Sequence, residues 1–320
     1  MERELLELLT RLVGFDTHAG EAAQAAFLAG LTHAWGATTF IDEVRPGRVN
    51  FRAHFSGKDP GRTRVIEAHG DTVGGTVASR HDAAAGRFHG RGACDTKGAM
   101  AAMLLGIRAA LARGPLPCDV LFASTCCEET GGEGARALAG VLPPGASVVV
   151  GEPTSMRIVR AHKGAYRTRI TCRGRAAHSS APERGVNAIT AMRHVLAALE
   201  DEVLPVFAER SDPLLGAPTM SVGTIHGGQA SNVVPDRCAI EVDWRLVPGQ
   251  SGNAVRELLT RWFPEAAIEP YEEYPPFAIA ESHPLAQAFA RACRAAGRPE
   301  AVFGGVPWAA NAGLLQAAAG

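Results

Sequence analysis

Three apolar runs in this chain stop at residues that carry chemistry. TRVIEAH ends at His69, DVLFAST ends at Thr125 just ahead of Glu128 and Glu129, and SVVVGE ends at Glu152. Short apolar runs bounded by turn residues read as strands buried on both faces, the environment of a parallel sheet covered by helices. Open sheets of this kind bind ligands at the carboxyl ends of their strands, so the residues that close the three runs should meet in one crevice. Asp95 joins the series from a Gly-rich approach, Gly90-Arg91-Gly92-Ala93-Cys94, and precedes an apolar helix over Lys97 to Ala112.

The surrounding pattern has the same character. Leu5, Leu8, Leu9 and Leu12 lie on one face of a helix over Glu2 to Val13. Helical and strand patterns then alternate to about residue 160, which predicts an α/β layer with a mostly parallel sheet and flanking helices. After Arg160 the order changes to a strand (Ala165 to Cys172), a helix (Val186 to Glu200), two strands (Thr219 to His226, Arg237 to Leu246), a helix (Ser251 to Trp262) and a strand near Ile268. That βαββαβ order predicts an inserted α+β ferredoxin-like domain. Beyond Tyr274-Pro275-Pro276 the α/β style returns, with a helix over Pro284 to Ala296, a strand over Ala301 to Phe303 and a helix toward Ala319. Residues 1–160 with 274–320 are therefore expected to form one discontinuous domain, and 161–273 a second.

With 320 residues the chain exceeds a single ordinary core, and a formal net charge of −1 gives no electrostatic reason to expect nucleic acid or an anionic membrane as partner. No stretch approaches the roughly 20 apolar residues that span a bilayer. The opening Met1-Glu2-Arg3-Glu4 is acidic where a signal peptide would be basic, so the expected compartment is the cytoplasm. Cys126 and Cys127 are adjacent, and Cys94, Cys118, Cys172, Cys238 and Cys293 are scattered, which predicts reduced, mostly buried thiols.

Imidazole nitrogen and carboxylate oxygen are zinc donors when thiolates are not supplied. His69 fits as a first ligand. Asp71 sits too close in sequence for easy ligation of the same ion, but can accept the other ring N–H and fix the imidazole tautomer. Asp95 reads equally as a helix N-cap or as a carboxylate bridging two metals. Glu128 and Glu129, adjacent like charges after a buried strand, would be costly unless something positive sits beside them. One of the two can ligate while its neighbour acts as general base. Glu152 alone would be a turn residue.

Taken in order, HGDTV at 69–73, GRGACDTKGAM at 90–100, CEETGGEGA at 127–135, GEPT at 151–154, GRAAHSSAPERGVNAI at 174–189, GGQASNVVPD at 227–236 and DWRLVPG at 243–249 resemble the co-catalytic zinc amidohydrolase and metallopeptidase family of acetylornithine deacetylase, succinyl-diaminopimelate desuccinylase and glutamate carboxypeptidase. The resemblance implies a zinc-peptidase-like catalytic domain and makes 161–273 a dimerisation domain, hence a homodimer. It implies two zinc ions per chain, with Co2+ or Mn2+ as substitutes: His69, Asp95 and Glu152 at one, Asp95 and Glu129 at the other. Glu128 becomes the general base that activates water, Asp71 the partner of His69, and His178 the oxyanion donor that reaches across the dimer. Asn232 and Arg245 become substrate-binding residues, against a bland reading of Arg245 as the ion-pair partner of Asp243 or Glu241. The implied reaction is hydrolysis of an amide or peptide bond in a small N-acyl amino acid or short peptide.

The chain departs from the family near its end. Relatives carry a Gly-Thr-Asp-Ala-Gly stretch, a further strand and a late histidine at the second metal. Here Ala309-Ala310-Asn311-Ala312-Gly313 stands at the first feature, and no histidine follows His283. The expectation is a catalytic domain truncated at its C-terminal side. The alternative to an active hydrolase is a catalytically silent homologue or fragment that binds ligand or dimerises. A phosphate-binding role for Gly131-Gly132-Glu133-Gly134 is disfavoured by its acidic neighbours and by the want of a GxxxxGK[ST] motif.

Overall fold

The structure is a computed structural model that describes residues 2–298 and 302–319. The chain divides into two compact units, Met1–Met156 with Ala310–Gly320, and Arg157–Ala309.

The first unit opens with helices α1 (Glu2–Val13) and α2 (Ala22–His33), followed by the hairpin β1 (Thr38–Arg45) and β2 (Arg48–Phe55). The strand β3 (Thr63–His69) comes next, and then a small hairpin, β4 (Arg80–Asp82) and β5 (Arg87–His89). An irregular turn at Ala93–Lys97 leads into α3 (Gly98–Leu111), and β6 (Asp119–Thr125), α4 (Glu133–Ala139) and β7 (Ser147–Val150) complete the series. The sheet order is β1-β2-β6-β3-β7. Strand β3 runs parallel to both β6 and β7, while β1 and β2 extend the sheet in the antiparallel sense.

Pattern and packing agree. On β2 the alternate residues Phe51, Ala53 and Phe55 enter a core with Leu12 of α1, Leu28 of α2, Met100 and Leu104 of α3 and Phe122 of β6. Leu8 and Leu12 are the buried residues of α1, one helical turn apart on the face the sequence marks as apolar.

The parallel register sets the site. His69 lies opposite Thr125, and Glu67 lies opposite Val150, so the chain leaves β6 on the level of His69 and β7 two residues before it, which brings Glu152 toward that level. This layout is the physical content of three apolar runs that end together.

The second unit contains β8 (Ile158–His162), β9 (Gly164–Arg173), α5 (Ala188–Ala198), α6 (Leu204–Ala208), β10 (Thr219–Gly227), β11 (Arg237–Leu246), α7 (Gly252–Trp262), β12 (Ala267–Tyr274), β13 (Phe277–Ala278), α8 (Pro284–Ala295) and β14 (Phe303–Val306). Its larger sheet is antiparallel with the order β10-β11-β9-β12, the strand order of a ferredoxin-like unit. Asn187 caps α5 by accepting the Ile189 and Thr190 amides, and Ser251 caps α7 by accepting the Ala254 amide. Met192, Leu199, Ile170, Trp244 and Leu259 form the core between helices and sheet. Trp244 and Phe207 pack edge to face with ring centroids 5.2 Å apart, and Trp244 donates its indole N–H to Thr168 Oγ1 at 3.1 Å.

A smaller sheet, β13-β8-β14, belongs to the same unit, so residues 274–309, assigned from the sequence to the first domain, group with the second. The expected strand at Ala301 to Phe303 begins at Phe303; Ala301 lies outside the described residues. The last helix, α9 (Asn311–Ala319), belongs to the first unit. All seven cysteines are free thiols, five of them buried. Among the described residues, no helix is long and apolar enough to cross a membrane.

His162, on β8, is buried and stacks on Phe277 at 5.4 Å, and burial lowers its pKa to about 4. A histidine held neutral in the fold stabilises it above the unfolded pKa, and that contribution is lost as pH falls from about 6.5 toward 4. Urea unfolding of wild type should lose about 1 kcal/mol more than His162→Phe on moving from about pH 7.5 to about pH 5.5. Identical losses in the two proteins would show that His162 does not titrate on unfolding.

Candidate metal centre

His69 ends β3 with its side chain almost fully buried. Its Nδ1 lies 3.0 Å from the Asp71 carbonyl oxygen and 3.5 Å from the Asp71 carboxylate, and its Nε2 lies 2.9 Å from Asp95 Oδ1. The tautomer is thus set more closely by the backbone of Asp71 than by its carboxylate. Burial alone would lower the His69 pKa, but the acidic groups of Asp71, Asp95, Glu128 and Glu152 hold it well above the ordinary value.

The Asp71 carboxylate turns instead to the loop after β6. Its Oδ1 accepts the Glu128 amide and its Oδ2 the Glu129 amide, each at 3.1 Å. Burial works to raise the Asp71 pKa, yet His69 and these two amides bring it below the ordinary value.

Asp95 enters from the turn ahead of α3, across a cis Asp95–Thr96 peptide. Thr96 Oγ1 donates to the His69 carbonyl at 3.0 Å, which fixes that turn to the end of β3. Donor atoms of His69, Asp95 and Glu129 lie within 4.8 Å of one another, the one such group of three among the described residues. Glu129 also accepts the Val73 backbone amide. Glu152 lies outside that triad but close enough for its charge to act on His69.

The remaining carboxyls record a shortage of positive charge. Burial raises Glu128 to about 8, opposed by His69 and reinforced by Asp71, Glu129 and Asp95. Burial raises Glu152 to about 9, opposed by His69 and reinforced by Glu128, Asp95 and Glu67. Glu129 is raised for the same reasons. One imidazole among several desolvated carboxylates is the donor set of a hard or borderline divalent cation, and zinc fits it.

His178, Asn232 and Arg245 belong to the second unit. His178 is exposed, and its Nδ1 accepts the Ser180 amide at 3.2 Å and lies 2.7 Å from Ser180 Oγ. The Asn232 carbonyl accepts the Ser179 amide at 3.0 Å, and His178 bridges Val233, so His178 and Asn232 lie on adjoining segments. Arg245 is forked on Asp243, with Nε 2.7 Å from Oδ1 and Nη2 3.1 Å from Oδ2, the ion pair weighed against substrate binding from the sequence.

Several polar residues of the site carry no motif. Glu67 is fully buried on β3, and its Oε1 accepts from Thr125 Oγ1 at 2.5 Å and from Asn311 Nδ2 at 3.0 Å. Arg48 and Asn50 on β2, and Glu21, are also buried. An acidic residue within the otherwise apolar TRVIEAH is the available signal for Glu67; the other three have none.

Residues 160–269 match the family described as peptidase dimerisation domain, and residues 50–151 match peptidase family M28. The acetylornithine deacetylase of Myxococcus xanthus is 37% identical over 228 residues, 69% of this chain and 59% of that protein. The acetylornithine deacetylase of Vibrio cholerae is 31% identical over 293 residues, 86% of this chain and 76% of that protein. The chain belongs to the zinc amidohydrolase and metallopeptidase family. Proteins of solved structure share its fold: an aminopeptidase PepT from Bacillus cereus (TM-score 0.79, 21% identity, 99% of this chain and 88% of that chain) and an M20 family metallo-carboxypeptidase from Sulfolobus solfataricus (TM-score 0.78, 18% identity, 98% and 88%). The chain thus spans somewhat under two thirds of the Myxococcus relative and about three quarters of the Vibrio one.

Glu152 supplies a test of the charge balance. Its folded pKa is raised from 4.5 to about 9, so its contribution to stability is complete below pH 4.5 and is lost as pH rises toward 9. Metal-free protein, melted in chelator between about pH 6 and pH 9, should lose stability with rising pH, and Glu152→Gln should flatten that loss. An equally steep loss in the variant would mean that Glu152 is not the strained group.

Proposed function

We propose that the chain is a zinc-dependent amidohydrolase that cleaves the amide bond of a small N-acyl amino acid or short peptide, with Glu128 as general base. One observation carries the reading: desolvated carboxyls converge on a single buried histidine with too little positive charge to balance them. Membership of the family and relatives named acetylornithine deacetylase support an acylated amino acid as substrate, and N-acetylornithine is the first to test.

His69, Asp95 and Glu152 would hold one zinc and Asp95 with Glu129 a second, and the metal would polarise a carbonyl and acidify a water. Glu128, next to Glu129 and with its amide anchored on Asp71, would take a proton from the attacking water and return it to the leaving amine. Asp71 keeps His69 and the Glu128–Glu129 turn in register. His178 is the oxyanion donor of this reading, because Nδ1 accepts from the Ser180 amide and the proton resides on Nε2. Asn232 and Arg245 bind the substrate, Arg245 by exchanging Asp243 for a substrate carboxylate. The match of 160–269 to a peptidase dimerisation domain supports a homodimer formed through the second unit.

Elemental analysis after dialysis against metal-free buffer should find zinc bound, and the protein should hydrolyse N-acetylornithine or another N-acyl amino acid. Glu128→Gln should retain the zinc while turnover falls by about 10²–10⁴-fold. Zinc without turnover on any N-acyl amino acid or dipeptide would favour the silent homologue, and unchanged turnover in Glu128→Gln would remove Glu128 as the base.

A further inference from the structure

We infer that β2 is a template that positions Glu128 and Glu129, through Asn50 directly and through Arg48 by way of Asp71. The inference rests on the reading of the metal centre above and adds two positioning residues to it.

The antiparallel register places Phe51 opposite Ser124, so Asn50 sits where β6 gives way to the loop that carries the two glutamates. Asn50 is 2% exposed. Its Oδ1 accepts the Cys126 amide at 3.0 Å, and its Nδ2 donates to the Gly134 carbonyl at 2.8 Å. One side chain thereby closes both ends of the loop Cys126–Gly134. Glycine is required at 134, because a Cβ there would overlap the Cys126 carbonyl oxygen and lie 2.6 Å from the Cys126 nitrogen and 2.7 Å from Asn50 Oδ1.

Arg48 lies two residues earlier, on the same face of β2 as Asn50 and opposite the Phe51, Ala53 and Phe55 face that packs in the core. Its Nε and Nη2 donate to Glu21 Oε1 at 2.8 and 2.5 Å, and Glu21 Oε2 accepts the Val49 amide at 3.1 Å. The guanidinium is therefore fixed independently of the metal ligands. Its Nη2 stands 3.7 Å from Asp71 Oδ2, the oxygen that accepts the Glu129 amide. A buried cation behind a carboxylate whose two oxygens face two successive amides fixes that carboxylate's rotation, and with it the direction in which Glu128 and Glu129 leave the turn. Neither Arg48 nor Asn50 touches a reacting atom on this account.

Asn50→Asp keeps the acceptor for Cys126 and sets a carboxylate oxygen against the Gly134 carbonyl. Arg48→Met keeps length and removes the donors. Zinc affinity is read by competition with a chromophoric chelator, alongside kcat and KM for N-acetylornithine and the melting temperature. Both variants should bind zinc about 10–100-fold more weakly than wild type and lose kcat by a similar factor, while KM stays within about twofold, and Arg48→Lys should recover part of the loss. Leu8→Ala, a core truncation in α1 that lowers the melting temperature, should leave zinc affinity and kcat unchanged. If either main variant does not fold, Asn50→Ser and Glu21→Gln, which loosen the same contacts, carry the same expectation. Folded variants with wild-type zinc affinity and kcat would overturn the inference alone. A wild-type chain that binds no zinc would overturn the reading of the metal centre, and the inference with it.

Discussion

The crowding of carboxyl groups around one buried histidine is the constraint on which the first unit depends. Each carboxylate removed from water must be met by hydrogen bonds, by a cation or by a proton. The acidic groups divide on that basis. Glu21 is met by Arg48 and the Val49 amide, and Asp71 by two loop amides and His69, so that Asp71 stays below its ordinary pKa. For Glu128 and Glu152 burial outweighs the opposing pull of His69 and carries them to about 8 and 9. Groups compensated by the protein frame the site, whereas those left raised mark where external positive charge belongs. The parallel register of β3 with β6 and β7 sets where these groups meet, since it places the end of β6 opposite His69 and the end of β7 opposite Glu67.

Much of this was legible in the sequence because strand ends are marked by hydropathy. The predicted helix Glu2 to Val13 and strand Arg237 to Leu246 coincide with the observed elements, and the βαββαβ order yields the expected sheet. His69 and Glu129, which follow apolar runs, converge with Asp95 from the Gly-rich approach. Less legible was what depends on partners far away in sequence. Arg48 and Asn50 sit in RVNFRAHF, where nothing local reveals that one face meets a loop more than 70 residues later. The N–H of His69 was expected to meet the Asp71 carboxylate; that carboxylate stands 3.5 Å from the ring and also accepts the Glu128 and Glu129 amides, while the Asp71 carbonyl lies nearer, at 3.0 Å. Backbone groups carry no residue signature, so such an exchange leaves no trace in composition or spacing. The grouping of 274–309 with the second unit is hidden for a related reason: β13 and β14 are short and are defined by pairing with β8 rather than by their own pattern.

The second unit resolves its charges differently. Arg167 reaches Asp243 at 3.0 Å and Glu272 at 2.5 Å, Arg245 forks Asp243, and Arg169 reaches Glu241 at 2.7 Å, all across one sheet surface. These half-exposed pairs contribute little stability singly. Their arrangement matters more for Arg245, whose guanidinium already has a carboxylate in bidentate geometry. A substrate carboxylate would replace one pair with another of the same type, so the gain in affinity would come from geometry and desolvation rather than from charge alone.

Asn311 gains a meaning that its departure from the family pattern did not carry. It is fully buried, and its Nδ2 lies 3.0 Å from Glu67 Oε1 and 3.2 Å from Thr125 Oγ1. An aspartate at this position would set a second carboxylate against a glutamate that burial already raises, whereas the amide supplies the N–H that Glu67 needs. Glu67 and Asn311 therefore form a matched pair, and the change at 311 is no evidence of a lost function on its own. Because Glu67 lies two residues before His69, and Thr125 closes the strand that leads to Glu128, this pair ties α9 to the two strand ends that deliver the site. A buried amide far away in sequence thus joins the packing of α9 on α4 and β7 in holding this helix against those strands.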